Sequence, residues 1–220
     1  KLEKDGIRSF RQTSNEIYEE HIDKSLKHVS EDGFLDPQAI TYLDISLGNV
    51  CNLKCKMCSQ MYSNQIGKEL LEMGDEDPEW LSWVQKESGN ANNFTNNLNV
   101  EYKWFKNKKV ANKLFKWISD NVTTLSVLGG EPTVIPEFWD MFAYCEQQGT
   151  LHEKEVTVVT NLTNVNPRLI DWLPKLKQWT IWASVDGIGE RTEYIRYPSN
   201  WDKIVENLNS INVGNYTKPI

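Results

Sequence analysis

No apolar run in this chain approaches the roughly 20 residues that a bilayer-spanning helix requires. Its start, Lys1-Leu2-Glu3-Lys4-Asp5, lacks the apolar stretch of a secretory signal. The expectation is a cytoplasmic protein without a membrane partner. Positive charge is scarce too: 24 Lys and Arg face 31 Asp and Glu, a net charge of -7. No broad basic field is available to hold nucleic acid. Histidine is rarer still, three in 220 residues, and none lies at ligand spacing from the cysteines. Cysteine itself is limited to four, three of them within eight positions, which suits a metal in a reducing compartment and excludes a disulfide framework.

What is present supports a single α/β domain. Hydrophobic residues make up 39% and aromatics 11% of a 25.5 kDa chain, enough for a sizeable core. Residues 1–40 are polar and charged and read as an N-terminal helical extension, with a helix around Asn15 to Val29 and a turn at Glu31-Asp32-Gly33. Four β-branched or aromatic runs follow, Tyr42–Leu47, Thr124–Leu128, Glu155–Thr160 and Trp179–Val185, each succeeded by a helical pattern. Such alternation implies βαβ units and a parallel sheet.

The helix opening at Pro136 sets Phe138, Met141, Phe142 and Cys145 at i, i+3, i+4 and i+7, so Cys145 reads as a core thiol. A helix from about Lys103 to Ser119 offers Val110, Leu114, Trp117 and Ile118, and a last one offers Ile204, Leu208 and Ile211. Pro174 should end or kink the helix that Asn166-Pro167 begins. The segment of about 60–105 is longer than one helix needs and reads as an insertion, with an acidic turn at Gly74–Pro78 and an asparagine-rich stretch from Asn90 to Asn99. Residues 41–220 would form the core domain, with Tyr216–Ile220 starting a fifth strand.

The chemistry concentrates in Cys51, Cys55 and Cys58, a CxxxCxxC triplet directly after the first strand. A closed structural zinc site takes four ligands, whereas a [4Fe-4S] cluster on three thiolates keeps one iron free for a substrate or cofactor. In parallel α/β folds the binding groups collect at the carboxyl ends of the strands. Gly129-Gly130-Glu131-Pro132, Thr160-Asn161 and Ser184-Val185-Asp186-Gly187 all fall at such ends.

The cysteine triplet after the first strand and Gly-Gly-Glu-Pro after the second resemble the radical S-adenosylmethionine superfamily, over roughly residues 41–211. The resemblance implies a partial (β/α) TIM-like barrel of parallel strands with helices outside, truncated before the last strands. It implies a [4Fe-4S] cluster on the three cysteines, its fourth iron chelated by S-adenosylmethionine. Reductive cleavage then gives a 5′-deoxyadenosyl radical that abstracts hydrogen from a substrate. By the same resemblance Gly129, Gly130 and Glu131 meet the methionine amino group, while Ser184, Asp186 and Asn161 are polar partners of the cofactor. Arg196 is placed on the methionine carboxylate, and Met57 stands where the family usually has an aromatic beside the adenine.

The implied partners are an external electron donor of flavodoxin or ferredoxin type and a substrate for which a peptide or protein is the first candidate and a small molecule the second. The alternative is a noncatalytic metal-binding or interaction module, in which His21, His28, His152 or Cys145 completes a structural zinc site.

Overall fold

The computed structural model describes residues 6–87 and 104–212. Four strands, β1 (Tyr42–Ser46), β2 (Thr124–Leu128), β3 (Glu155–Thr160) and β4 (Gln178–Ala183), form one sheet in the order β1-β2-β3-β4, every pair parallel. Strands that neighbour in space as in sequence wind one way, so the crossover helices collect on one face and the sheet is part of a barrel. The molecule is thus a partial (β/α) barrel, with strand limits within two residues of those expected from sequence.

Helices α1 (Phe10–Ile17) and α2 (Glu19–Leu26) precede the sheet; α3 (Asn64–Glu76), α4 (Pro78–Glu87) and α5 (Lys108–Asn121) join β1 to β2. Then come α6 (Pro136–Gln147), α7 (Pro167–Trp172), α8 (Glu190–Ile195) and α9 (Trp201–Asn212). None among the described residues is long and apolar enough to cross a membrane.

The core lies between the sheet and these helices. Ile45, Val127 and Val158 alternate inward from their strands and meet Phe115 and Ile118 of α5 and Phe138, Met141, Phe142 and Cys145 of α6. Trp139 and Trp172 are buried, and Trp104, Trp117 and Trp201 pack on the core's edge. Lys154 is buried before β3, and its Nζ donates to the Ile118, Ser119 and Val122 carbonyls at 3.2, 2.8 and 2.7 Å. One ammonium thereby caps the carboxyl end of α5, although burial lowers its pKa.

Several local expectations are corrected. The single helix of residues 15–29 is two, broken at Tyr18, whose ring packs on Tyr42 with centroids 4.6 Å apart. The acidic turn is the end of a helix: α3 runs through Glu76 and stops at Asp77 because Pro78 disfavours helical geometry in the residue before it. On α5 the buried stripe is Ala111, Phe115 and Ile118, while Val110 is half exposed. On α9 Leu208 faces solvent and Asn207 is buried instead, donating to the Leu162 carbonyl at 2.7 Å. Pro174 does end its helix, in a short 3-10 turn. The Asn90–Asn99 stretch and the fifth strand at Tyr216–Ile220 lie outside the described residues.

Candidate metal and cofactor site

The cysteine loop buries only a small cluster of its own, Cys51, Leu53 and Cys55 with Cys58 against it, so hydrogen bonds must do most of the fixing, and residues 49–58 are fixed on every side. The Cys51 N–H donates to Asn64 Oδ1 at 3.0 Å, while the Asn64 N–H donates to the Asn49 carbonyl at 2.8 Å. Ser63 Oγ donates to the Leu53 carbonyl at 2.6 Å. From the far side the Lys54 and Lys56 N–H groups donate to the Tyr197 and Ile195 carbonyls at 2.6 and 2.8 Å. The start of α3 and the end of α8 therefore clamp the loop between them.

The end of β2 supplies the third wall. Gly129 has φ +92, and a Cβ there would overlap Ser46 Oγ and stand 2.8 Å from the Gly48 carbonyl oxygen. At Gly130, φ +27, a Cβ would overlap the Val50 carbonyl oxygen. That carbonyl accepts from the Glu131 N–H at 2.8 Å. The two glycines thus let β2 close on the segment that presents Cys51, in addition to lining the cavity described below.

Glu131 is 1% exposed, and its carboxylate is held by four protein donors. Oε1 accepts from Thr133 N, Thr133 Oγ1 and Thr160 Oγ1 at 3.2, 2.6 and 2.7 Å, and Oε2 accepts from Asn161 N at 2.7 Å. A buried carboxylate with four donors is a fixed strut joining the ends of β2 and β3. Asn161 is similarly engaged, donating to Asn52 Oδ1 at 2.9 Å and accepting from Thr163 Oγ1 at 2.6 Å. Neither Thr133 and Thr160 nor the Asn49–Asn64 pair was marked by any sequence signal beyond position at a strand or helix end.

These walls enclose a cavity of about 330 Å³ lined by all three cysteines and by Met57, Gly129, Gly130, Glu131, Asn161, Ser184 and Arg196. Asp186 does not line it; its Oδ2 accepts from Arg196 Nε at 2.5 Å, so it holds the guanidinium in place. Arg196 Nη1 lies 3.8 Å from Cys55 Sγ. Tyr62, which the sequence did not suggest, lines the cavity and is 61% exposed beside Met57 at 58%.

Burial pushes the Cys51 thiol up to about 11 and raises Cys55 also, with Arg196 opposing the latter. Thiols held in such surroundings become ligands when a metal displaces their protons. Among the described residues no three His, Cys, Asp or Glu side chains are arranged to hold a single metal ion. His21 lies instead on Thr41, His152 beside Glu153, and Cys145 in the core. Three cysteine sulfurs lining one cavity of this size are a ligand set that an iron-sulfur cluster can take.

The family model for the radical SAM superfamily matches residues 45–214. No curated protein matches the chain. Among solved structures, Streptococcus suis SuiB bound to the precursor peptide SuiA is similar at 16% identity and a TM-score of 0.49, over 92% of this chain and 36% of that one. Streptococcus suis SuiB bound to S-adenosylmethionine is similar at 19% identity and a TM-score of 0.48, over 96% and 40%. For Streptococcus suis SuiB alone the figures are 18%, 0.45, 94% and 37%. The chain thus spans between 36% and 40% of the length of the SuiB chains.

Proposed function

Since this chain belongs to the radical SAM superfamily, we propose that it is a radical SAM enzyme in which Cys51, Cys55 and Cys58 hold a [4Fe-4S] cluster whose open iron takes S-adenosylmethionine in the cavity above β2 and β3. When bound, the two together supply one-electron cleavage to methionine and a 5′-deoxyadenosyl radical that takes hydrogen from a substrate carbon. The carrying observation is that three thiols, the two close-packed glycines and the strand ends share one cavity of about 330 Å³.

The chain's own groups divide the remaining work. Glu131, held by Thr133, Thr160 and Asn161, keeps acceptor capacity at Oε2 facing the cavity, and with the backbone at Gly129 and Gly130 it accepts from the methionine amino group. Ser184 contributes a hydroxyl for which the described residues offer no partner. Arg196, braced by Asp186, keeps its remaining N–H donors for the methionine carboxylate. Met57 and Tyr62 together supply the apolar lip for the adenine.

The substrate in this proposal is a peptide or protein, on the likeness of the Gly129–Pro132 and Ser184–Gly187 segments to members that modify peptides, and the electron comes from an external flavodoxin or ferredoxin type donor in the cytoplasm. The test is anaerobic reconstitution with iron and sulfide, then dithionite and S-adenosylmethionine. Release of 5′-deoxyadenosine that disappears in Cys51→Ala supports the proposal. A reconstituted chain that holds metal and releases none sinks it, and leaves a structural metal module.

A further inference from the structure

On the sheet face turned away from the helices one row is wholly polar. Register pairs Asp44 with Ser126, Ser126 with Thr157 and Thr157 with Thr180, so one carboxylate and three hydroxyls run across the four strands in a single row. A parallel sheet covered on both faces carries apolar residues on both. Toward α5 and α6 Ile45, Val127 and Val158 are buried; on the opposite face Asp44 and Ser46 are exposed, and above the polar row Val159 is paired with Trp182, which is 65% exposed.

The polar row sits directly beneath the candidate site. Val159, one of the cavity's lining residues, belongs to the next row up on the same face, opposite Trp182. Two residues along a strand advance about 6.6 Å, so Asp44 stands one row below Val159 and, on β1, two strands to its side. Ser46, two residues on, lies against Gly129.

Asp44 also stands apart electrically. Glu155, the other carboxylate on this face, is neutralised by Lys177 at 2.6 Å. Among the described residues Asp44 has no ion pair, and its charge contributes to raising the Tyr42 hydroxyl's pKa, which burial raises most. The rows contain no Lys or Arg to answer it. A neutral, apolar substrate lying on this face would strip water from an unpaired carboxylate, whereas a cation would replace that water.

We propose that Asp44 sets substrate specificity, accepting an alkylammonium or guanidinium group that the substrate lays along the inner face of the sheet. The inference rests on the radical SAM site proposed above, because it takes the cavity next to Val159 as the place of reaction.

The test uses the full reconstituted chain with S-adenosylmethionine, titrated by ligand-observed NMR with three probes of matched size: Nα-acetyl-lysine amide, Nα-acetyl-norleucine amide and Nα-acetyl-glutamate amide. The unmutated chain should prefer the lysine probe over the norleucine probe by about tenfold. Asp44→Asn, or Asp44→Ser should the first variant fold poorly, should abolish that preference, and Asp44→Lys should transfer it to the glutamate probe. Equal binding of the lysine and norleucine probes by the unmutated chain, or a preference that survives both neutral variants, overturns the proposal. Release of 5′-deoxyadenosine by the unmutated chain separates the failures: release without probe preference removes the Asp44 assignment alone, and no release removes the site on which it rests.

Discussion

The cysteine loop and the N-terminal extension both lie outside the sheet–helix core, and they are held in opposite ways. In the loop, Asn49, Cys51, Leu53 and Cys55 are buried and the backbone is tied to α3, α8 and the end of β2. In the extension, α1 and α2 bury no residue, Phe10 is 89% exposed, and the attachment is a few contacts, among them Tyr18 on Tyr42 and His21 Nδ1 on Thr41 Oγ1 at 2.7 Å. The difference teaches where precision resides. Three sulfurs that must share one inorganic group need their backbone fixed to within fractions of an ångström, and saturated buried polar networks do that in a way apolar contact alone does not.

The comparison breaks most sharply at Gly130. Gly130→Ala drives a Cβ into the Val50 carbonyl at φ +27, and should cost about 3 kcal/mol or more together with nearly all iron binding. Urea unfolding and iron content after reconstitution check both. Next comes Glu131→Gln, which turns a donor toward the Thr133, Thr160 or Asn161 donors it now faces. A loss of about 2 to 3 kcal/mol is expected, with S-adenosylmethionine affinity falling as the strand ends separate, measured by calorimetric titration.

Lys154→Met sharpens the contrast from within the core, since it strands three carbonyls at the end of α5 far from the cysteines. It should cost about 2 kcal/mol while iron loading per folded chain is unchanged. Its pH dependence has a definite sign. Burial lowers the folded pKa of Lys154, so the unfolded chain binds the extra proton. The stabilisation linked to this group is complete above its unfolded pKa near 10.4 and is lost as pH falls through the lower folded value. Urea melts between pH 8 and about 10.5 should show the unmutated chain gaining stability relative to Lys154→Met as pH rises; a relative loss contradicts the assignment. The smallest effect belongs to the extension: Phe10→Ala, at 89% exposure, should move stability by no more than about 0.5 kcal/mol, and a larger change in the melt means that this helix is held more firmly than its exposure indicates.

The contrast also explains what could be read from the chain alone. Strand limits were legible because β-branched runs such as Glu155–Thr160 stand between glycine- and proline-bearing turns, and the face of α6 because its apolar spacing is regular. The triplet of cysteines and the Gly-Gly-Glu segment were legible as types, and one cavity gathers them. The bonds of Glu131 to Thr133, Thr160 and Asn161 were not, since a carboxylate's partners on other strands leave no mark in the sequence. Asn64 and Ser63 escaped notice because their partners lie on the cysteine loop, and hydrogen-bond partnership across a fold leaves no periodic mark. The short α8 was invisible for a related reason: it buries only Thr192. The break at Tyr18 likewise follows from a tertiary contact, the ring of Tyr42.

The most direct measurement is Mössbauer spectroscopy of the anaerobically reconstituted chain, with and without S-adenosylmethionine. Three protein thiolates on a cuboidal cluster predict about four irons per chain, one of which changes its isomer shift when S-adenosylmethionine is added while the other three stay put. A mononuclear signal, or a cluster whose irons all ignore S-adenosylmethionine, contradicts the account.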